Sequence, residues 1–227
     1  RHTAPAAQGK LLSIGSNNML KRMAANNFTW TPVSHATGPT SFTLEKASIL
    51  PVIISRLCSL MLIREETKGD LAHIEAIHLA AFPGAGESQL VTALRKNVKN
   101  LLSLVAVVDG RPVGHILFSP VALDSTTSLR LMGLAPMAVL PELQSKGIGS
   151  ALVEAGLKLC RKAKIGAVAV LGHPEYYPKF GFEKSEKFNL NSEYDVPPGV
   201  FMIAELENGY LKNCSGTISY HEEFSKL

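Results

Sequence analysis

The chain has 227 residues, a hydrophobic content of 46% and a formal net charge of +4, so it carries enough apolar material to bury a substantial core. Its basic residues are spread along the chain instead of forming arginine-rich runs, and we therefore expect no nucleic-acid partner. Cys58, Cys160 and Cys214 are odd in number and far apart, which excludes a disulfide framework and a zinc-ligand pair. We expect a protein of a reducing compartment, the cytoplasm.

Residues 1–60 differ in composition from the rest of the chain. They contain six basic residues, one acidic residue and many Ser, Thr and Asn, without a sustained helical or strand period. We interpret them as an N-terminal extension outside the folded domain, with three readings left open: a disordered tail, an organellar transit peptide, or sequence upstream of a true start at Met61. The apolar stretch 47–63 is interrupted by Pro51 and Arg56, so we expect no membrane segment.

Regular structure is predicted from Met61 onward. The residues MLIREE are typical of a strand, and Thr67 with Asp70 three residues later resembles a capping box. Apolar residues at helical spacing then predict a first helix over about 69–81, and a second helix is predicted over 88–98.

The central part of the chain alternates strands with one helix. Two runs, 102–108 and 111–121, flank Asp109-Gly110, which is typical of a type I′ hairpin between antiparallel strands. A third run, 129–140, is apolar on both faces and predicts a strand that is buried on each side. An amphipathic helix starting near Ile148 leads to a buried strand at 166–172, so the strands before and after this helix should be parallel.

The last elements predicted are a short helix or turn before Gly181 and strands from Phe182 and over 200–206. The element order predicts an α/β (α+β) fold with a mixed, mostly antiparallel central sheet, one parallel pair and helices on both faces. We assign the folded domain to residues 61–227.

Two glycines, Gly147 and Gly149, stand where the amphipathic helix begins. A helix start exposes backbone N–H groups without internal partners, and glycine lets an anion approach them closely, so the stretch predicts a diphosphate site. The P-loop is excluded because Lys146 precedes Gly147, and the dinucleotide fingerprint is excluded because its third glycine position is Leu152.

These residues resemble the signature of the GNAT superfamily of acyl-CoA-dependent N-acetyltransferases. The strand Met137-Ala138-Val139 precedes a short loop and then a complete Q-x-x-G-x-G pattern, Gln144 to Gly149. A second element of the family, a tyrosine four residues before a Gly-Phe pair, is matched by Tyr177 and Gly181-Phe182. The resemblance covers roughly residues 61–221.

The resemblance implies a splayed pair of parallel strands, acetyl-CoA as co-substrate and no metal. It implies that backbone N–H groups of the glycine loop bind the CoA diphosphate, that the edge of the preceding strand pairs with pantetheine, and that the N–H of Val139 points at the thioester carbonyl. The cofactor-binding residues expected on this basis are Met137, Ala138, Val139, Gln144, Ser145, Lys146, Gly147, Ile148, Gly149 and Ser150. Tyr177 would protonate the departing thiolate, and its register favours it over the adjacent Tyr176.

The general base and the acceptor are less well defined by the sequence. Glu87, at the start of the second helix, is the candidate base, and the alternative is a carboxylate that only stabilises the helix N-terminus. His173 and Glu175 either border the acceptor pocket or form a polar turn. We expect an acetyltransferase acting on a primary amine of a small molecule or peptide, as a monomer or homodimer, and the alternative is a non-catalytic acyl-CoA sensor.

Overall fold

The computed structural model describes residues 61–226, so the expectations for residues 1–60 and for Leu227 lie outside the described residues. Three α-helices and nine strands are present in this part of the chain. The helices are α1 (Leu71–Ala81), α2 (Gly86–Asn97) and α3 (Ile148–Lys162). The strands are β1 (Met61–Glu65), β2 (Leu102–Val108), β3 (Arg111–Leu123), β4 (Thr126–Val139), β5 (Ala167–Leu171), β6 (Glu183–Lys184), β7 (Leu190–Ser192), β8 (Phe201–Glu205) and β9 (Gly216–Ser219).

All nine strands belong to one mixed sheet. Its main path runs β1-β2-β3-β4-β5-β8-β6, and β9 joins it by pairing with both β3 and β7. The steps from β1 to β4 are antiparallel, whereas β4 and β5, the strands on either side of α3, are parallel. The predicted order of elements is confirmed from β1 to β5, as is the predicted parallel step, whereas four strands stand where two were predicted after β5.

The hairpin between β2 and β3 could be predicted from the sequence of its turn alone. Asp109 and Gly110 both have positive φ, 50° and 79°, as a type I′ turn requires. The start of α1 is also stabilised by residues that are close together in the chain. Asp70 accepts hydrogen bonds from the backbone N–H of Thr67 at 2.7 Å and from its hydroxyl at 2.8 Å, and Arg64 donates to the same carboxylate.

The sheet separates two apolar cores. Ile74, Leu90 and Leu94 of α1 and α2 pack on one face, while Leu152 and Val153 of α3 pack on the other. The predicted placement of helices on both faces is therefore confirmed. Among residues 61–226, no helix is both long enough and apolar enough to cross a membrane.

The expected short helix or turn before Gly181 is confirmed as a 3-10 turn, Tyr177–Phe180. Other details differ from the sequence prediction. β7 and β9 form a second, short parallel pair that was not predicted. β4 begins three residues earlier than expected and ends at Val139, because Pro141 starts a 3-10 turn instead of extending the strand.

Candidate active site

The site begins where β4 and β5 separate. The two strands pair from Leu131 and Ala167 as far as Leu134 and Val170. Beyond that point β5 ends at Leu171, while β4 continues to Val139 and pairs only with β3 on its other side. The parallel pair is therefore splayed, and one edge of β4 is open over residues 135–139.

The direction of the backbone groups at the end of β4 follows from one hydrogen bond. The N–H of Leu140 donates to the carbonyl of Val113 in β3 at 2.9 Å. Because backbone groups alternate in direction along a strand, the N–H and carbonyl of Val139 face the open edge. The side-chain amide of Gln144 donates to that carbonyl at 3.0 Å, which ties the following loop to the strand.

The glycine loop ends in an uncapped helix start. Ser145 and Gly147 have positive φ, 58° and 86°, and Gly147 is the N-cap of α3 without a side chain to offer. The first helical hydrogen bond runs from Ala151 N–H to the Gly147 carbonyl, so the N–H groups of residues 148–150 lack intrahelical partners. Together with the helix dipole, they form a site suited to an anion.

The two glycines serve different purposes. A Cβ at Gly147 would meet nothing within 4 Å, so glycine is required there by the positive φ. A Cβ at Gly149 would lie 3.0 Å from the hydroxyl oxygen of Tyr176 and 3.8 Å from the terminal methyl of Met137. At Gly149 the missing side chain thus makes room for protein atoms, in addition to any room for a phosphate.

Tyr177 and Tyr176 lie at right angles, with ring centroids 5.1 Å apart. Tyr177 is buried and its ring covers Gly172 at the end of β5, edge-on to Phe182. Burial, followed by the neighbouring Tyr176, raises the pKa of Tyr177 above its usual range, so its hydroxyl is protonated at neutral pH. Tyr176 instead extends to the start of α3, where its hydroxyl is hydrogen-bonded to Ser150.

Lys179 is a site residue that the sequence analysis missed. Its ammonium group lies 3.2 Å from the hydroxyl oxygen of Ser150 and 4.1 Å above the ring of Tyr176. It thus brings a positive charge to the first turn of α3. The lysine that the sequence analysis placed among the cofactor-binding residues was Lys146, which is exposed. A lysine two residues after the signature tyrosine was visible in the sequence, but nothing local linked it to Ser150.

Glu87 lies on a different element, α2. It is buried in the first turn of α2, with 6% of its surface exposed, on a helix that packs against α1 and the C-terminal 3-10 turn Glu222–Ser225. His173 follows β5, and its carbonyl accepts hydrogen bonds from the backbone N–H groups of Tyr176 and Tyr177. Glu175 is exposed in the same turn. Within residues 61–226, no group of three or more His, Cys, Asp or Glu side chains is placed to hold a metal ion.

These features fit the CoA expected from the resemblance. The unpaired N–H groups at the start of α3 and the ammonium of Lys179 suit a diphosphate, and the open edge of β4 offers hydrogen bonds to the amides of pantetheine. The two surfaces are consecutive in the chain and are joined through Gln144.

Comparison with known sequences leads to the same family. The model of the acetyltransferase (GNAT) family matches residues 71–182. The uncharacterized N-acetyltransferase YhbS of Escherichia coli K12 is 33% identical over 168 residues, which are 74% of this chain and 100% of YhbS. The uncharacterized N-acetyltransferase YjhQ of the same organism is 39% identical over 119 residues, 51% of this chain and 66% of YjhQ.

Two solved structures share the fold and a substantial part of the sequence. The crystal structure of E. coli YhbS in complex with CoA has a TM-score of 0.70 and 29% identity, covering 85% of this chain and 97% of YhbS. A GNAT-family acetyltransferase from Brucella melitensis in complex with acetyl-CoA has a TM-score of 0.60 and 32% identity, covering 73% of this chain and 99% of that protein.

Proposed function

Because the chain belongs to the GNAT family of N-acetyltransferases, we propose that it transfers an acetyl group from acetyl-CoA to a primary amine of a small molecule or peptide. The transfer takes place by direct attack of the amine within a ternary complex. The open edge of β4, with the N–H of Val139 facing it, is the observation that carries this proposal. The relatives crystallised with CoA and acetyl-CoA support it.

The glycine loop and α3 bind the diphosphate in this proposal. The N–H groups of residues 145–150 donate to its oxygens, and Lys179 adds a positive charge beside Ser150. Met137, Ala138 and Val139 present the strand edge to the pantetheine arm. Bound acetyl-CoA supplies the activated acyl group as a thioester.

Val139 stabilises the charge that develops as the amine attacks. Its N–H donates to the carbonyl oxygen of the acyl group, where negative charge grows while the new C–N bond forms. One fixed donor of this kind is worth about 2.7–4 kcal/mol of barrier. The hydrogen bond from Gln144 to the Val139 carbonyl holds this peptide unit in place.

Tyr177 protonates the leaving group. As the C–S bond breaks, its hydroxyl proton moves to the thiolate sulfur, so the thiol leaves neutral. The raised pKa of Tyr177 keeps its hydroxyl protonated at neutral pH, and the same shift makes it a weaker acid than an ordinary tyrosine. Glu87 is the group we propose for the amine's proton, and the cytoplasm is the compartment we propose for the reaction.

The proposal is tested in two steps. Calorimetric titration of the folded chain with acetyl-CoA should show binding, and a folded protein that gives no binding heat would exclude the proposal. A panel of primary amines, from alkylamines to short peptides, is then assayed for release of the CoA thiol. Tight binding with no turnover on any amine, in the wild type as well as in Tyr177→Phe, would favour the non-catalytic acyl-CoA sensor instead.

A further inference from the structure

Strand β1 lies at one edge of the sheet. Within residues 61–226 it pairs with β2 alone, in an antiparallel register. The N–H of Glu66 donates to the carbonyl of Ser103 at 3.1 Å, which fixes the direction of the backbone groups along β1. Because that direction alternates from residue to residue, the N–H and carbonyl groups of Met61, Ile63 and Glu65 face away from β2. The outer edge of β1 thus offers backbone donors and acceptors to another strand.

Two large apolar side chains of this edge strand are exposed. Met61 has 42% of its surface exposed, and Leu62 has 51%. Since side chains alternate along a strand, Met61 lies on the same face as Ile63, which packs into the core beneath α3, and Leu62 lies on the opposite face. An edge strand that exposes apolar side chains on both faces is a template for pairing with a further strand.

A groove of ≈ 310 Å³ lies beside this edge, between β1 and the C-terminal half of α3. Its apolar lining comes from β1, β2 and α3 and consists of Ile63, Leu104, Ala155 and Leu159. The groove is on the face of the sheet toward which Met61 points. It is therefore suited to an uncharged apolar side chain from a strand that pairs with β1.

The charges around the groove discriminate between strands that could occupy it. Arg64 is paired with Asp70 at 2.7 Å. Lys158 and Lys162 form no ion pair with residues 61–226, and they outnumber the remaining acidic lining residue, Glu65. Residues 1–60 contain six basic residues and one acidic residue, so they would bring like charges to this rim. The five residues of β1 carry one charge of each sign, so a second β1 brings none in excess.

We propose that two copies of the chain form a dimer in which their β1 strands pair antiparallel, centred on Ile63. Each Met61 side chain enters the groove of the other copy. In this register Met61 lies opposite the partner's Glu65, which lines the partner's groove together with the adjacent strand residues. All three outward-facing residues of each strand then take part in the pairing.

The register is compatible with the side chains on the other face as well. Leu62 lies opposite the partner's Arg64, whose aliphatic stem covers it, and no like charges stand directly opposite each other. The carbonyl of Glu65 accepts a hydrogen bond from Arg64 at 3.0 Å and keeps a second lone pair for the partner strand. Because β4 is three strands away from β1 along the sheet, its open edge stays free in the dimer.

Sedimentation equilibrium of the full chain between about 1 and 200 μM tests the proposal. A contact of this small size should give a reversible dimer with a dissociation constant on the order of 10 μM. Met61→Lys should raise that constant at least about tenfold, because it brings an ammonium group beside the partner's Lys158 and the partner's Lys162. Leu79→Lys is the matched control, since Leu79 is 46% exposed on α1, and it should leave the dimer unchanged.

The acetyl-CoA affinity of both variants should equal that of the wild type, which shows that they are folded. A chain that stays monomeric over the whole range would overturn the proposal. A dimer that Met61→Lys leaves unchanged would overturn it as well, because the contact would then lie elsewhere.

A cross-linking experiment tests the register. Opposed residues of a hydrogen-bonded antiparallel pair have Cα atoms about 5.5 Å apart, which a disulfide spans. In a chain carrying Cys58→Ser and Cys214→Ser, oxidised Ile63→Cys should therefore form a covalent dimer at least about tenfold faster than Leu79→Cys. The remaining natural cysteine, Cys160, is buried. Equal rates for the two variants would contradict pairing centred on Ile63.

Discussion

Tyr176 and Tyr177 are adjacent residues whose side chains contact different parts of the site, and they can be tested as a pair. Tyr177→Phe should lower turnover by about 10²- to 10⁴-fold if, as proposed, its hydroxyl protonates the thiolate, and should leave the CoA dissociation constant unchanged. Tyr176→Phe should weaken CoA binding instead, because its hydroxyl supports Ser150 at the start of α3. Comparable turnover of Tyr177→Phe and wild type would exclude the acid role.

Lys179 provides a second prediction about a single residue. Its contact with Ser150 places it beside the helix start proposed for the diphosphate, so Lys179→Ala should weaken CoA binding by about tenfold, and the loss should shrink as salt is added. Lys187→Ala is the matched control, because Lys187 is also an exposed lysine near an aromatic ring but pairs with Glu183. Equal effects of the two substitutions on calorimetric affinity would show that only net charge matters.

The two roles considered for Glu87 make opposite predictions for Glu87→Gln. If the carboxylate accepts the amine's proton, turnover should fall by about 10²-fold or more and the thermal midpoint should hardly change. If the carboxylate only stabilises the N-terminus of α2, the midpoint should fall by an amount worth about 0.3–1 kcal/mol and turnover should persist. Turnover by the Gln variant at the wild-type rate would end its candidacy as the base.

The link between β4 and α3 depends on backbone conformation at Gly147. Because Gly147 has a φ of 86° and open space around it, Gly147→Ala should cost about 1–2 kcal/mol through strain alone. We expect the loop of the variant to adopt another conformation that avoids this strain. CoA binding then requires the strained conformation again, so the affinity should fall by about 5- to 30-fold. Gly209→Ala is the control, since Gly209 has a φ of 73° and equally open space in the turn after β8.

The control should lose stability in urea unfolding while it keeps full CoA affinity. If Gly147→Ala also kept full affinity, the conformation of residue 147 would be unimportant for binding.

Elements whose causes are local could be predicted from the sequence. The Asp109-Gly110 turn fixes the β2–β3 hairpin by its own conformational preference, and the apolar stripe of α3 fixes that helix. β9 was missed because its four residues have no periodic signal and are held by pairing with β3 and β7, which are distant in the chain. Such strands are specified by tertiary contacts.

The same distinction applies to the site. The glycine loop could be predicted because residues 137–150 are contiguous, and the resemblance supplied Tyr177. The contact of Lys179 with Ser150 joins residues 29 positions apart, and that of His78 with His115 joins residues 37 positions apart. No local pattern encodes such pairs, because they depend on how α1 and the turn after β5 pack onto the sheet.

At the scale of the whole molecule, a chain of hydrogen-bonded polar side chains connects the segment after β1 with α2, β2, β3 and α1. Its members are Glu66, Arg95, Ser103, His115 and His78. Both histidines are completely buried, and burial lowers the pKa of each below its ordinary value of 6.5. The unfolded chain therefore binds more protons than the folded chain once the pH falls below about 6.5. The contribution of the two neutral histidines to the free energy of unfolding is therefore fully present above that pH and decreases as the pH falls.

We expect the free energy of unfolding to fall by about 1.4 kcal/mol per pH unit between pH 6 and 4 because of His78, whose pKa is lowered to about 2, and His115 adds to the decrease in the same direction. Urea unfolding at half-unit steps from pH 7.5 to 4.5 measures this slope. His78→Leu should reduce the slope by about 1.4 kcal/mol per pH unit, whereas substitution of the exposed His73 by Gln should leave it unchanged. The carboxylate of Glu66 contributes only below its ordinary pKa of 4.5. A wild-type stability that is flat between pH 7 and 5 would therefore show that folding does not lower the pKa values of the two histidines.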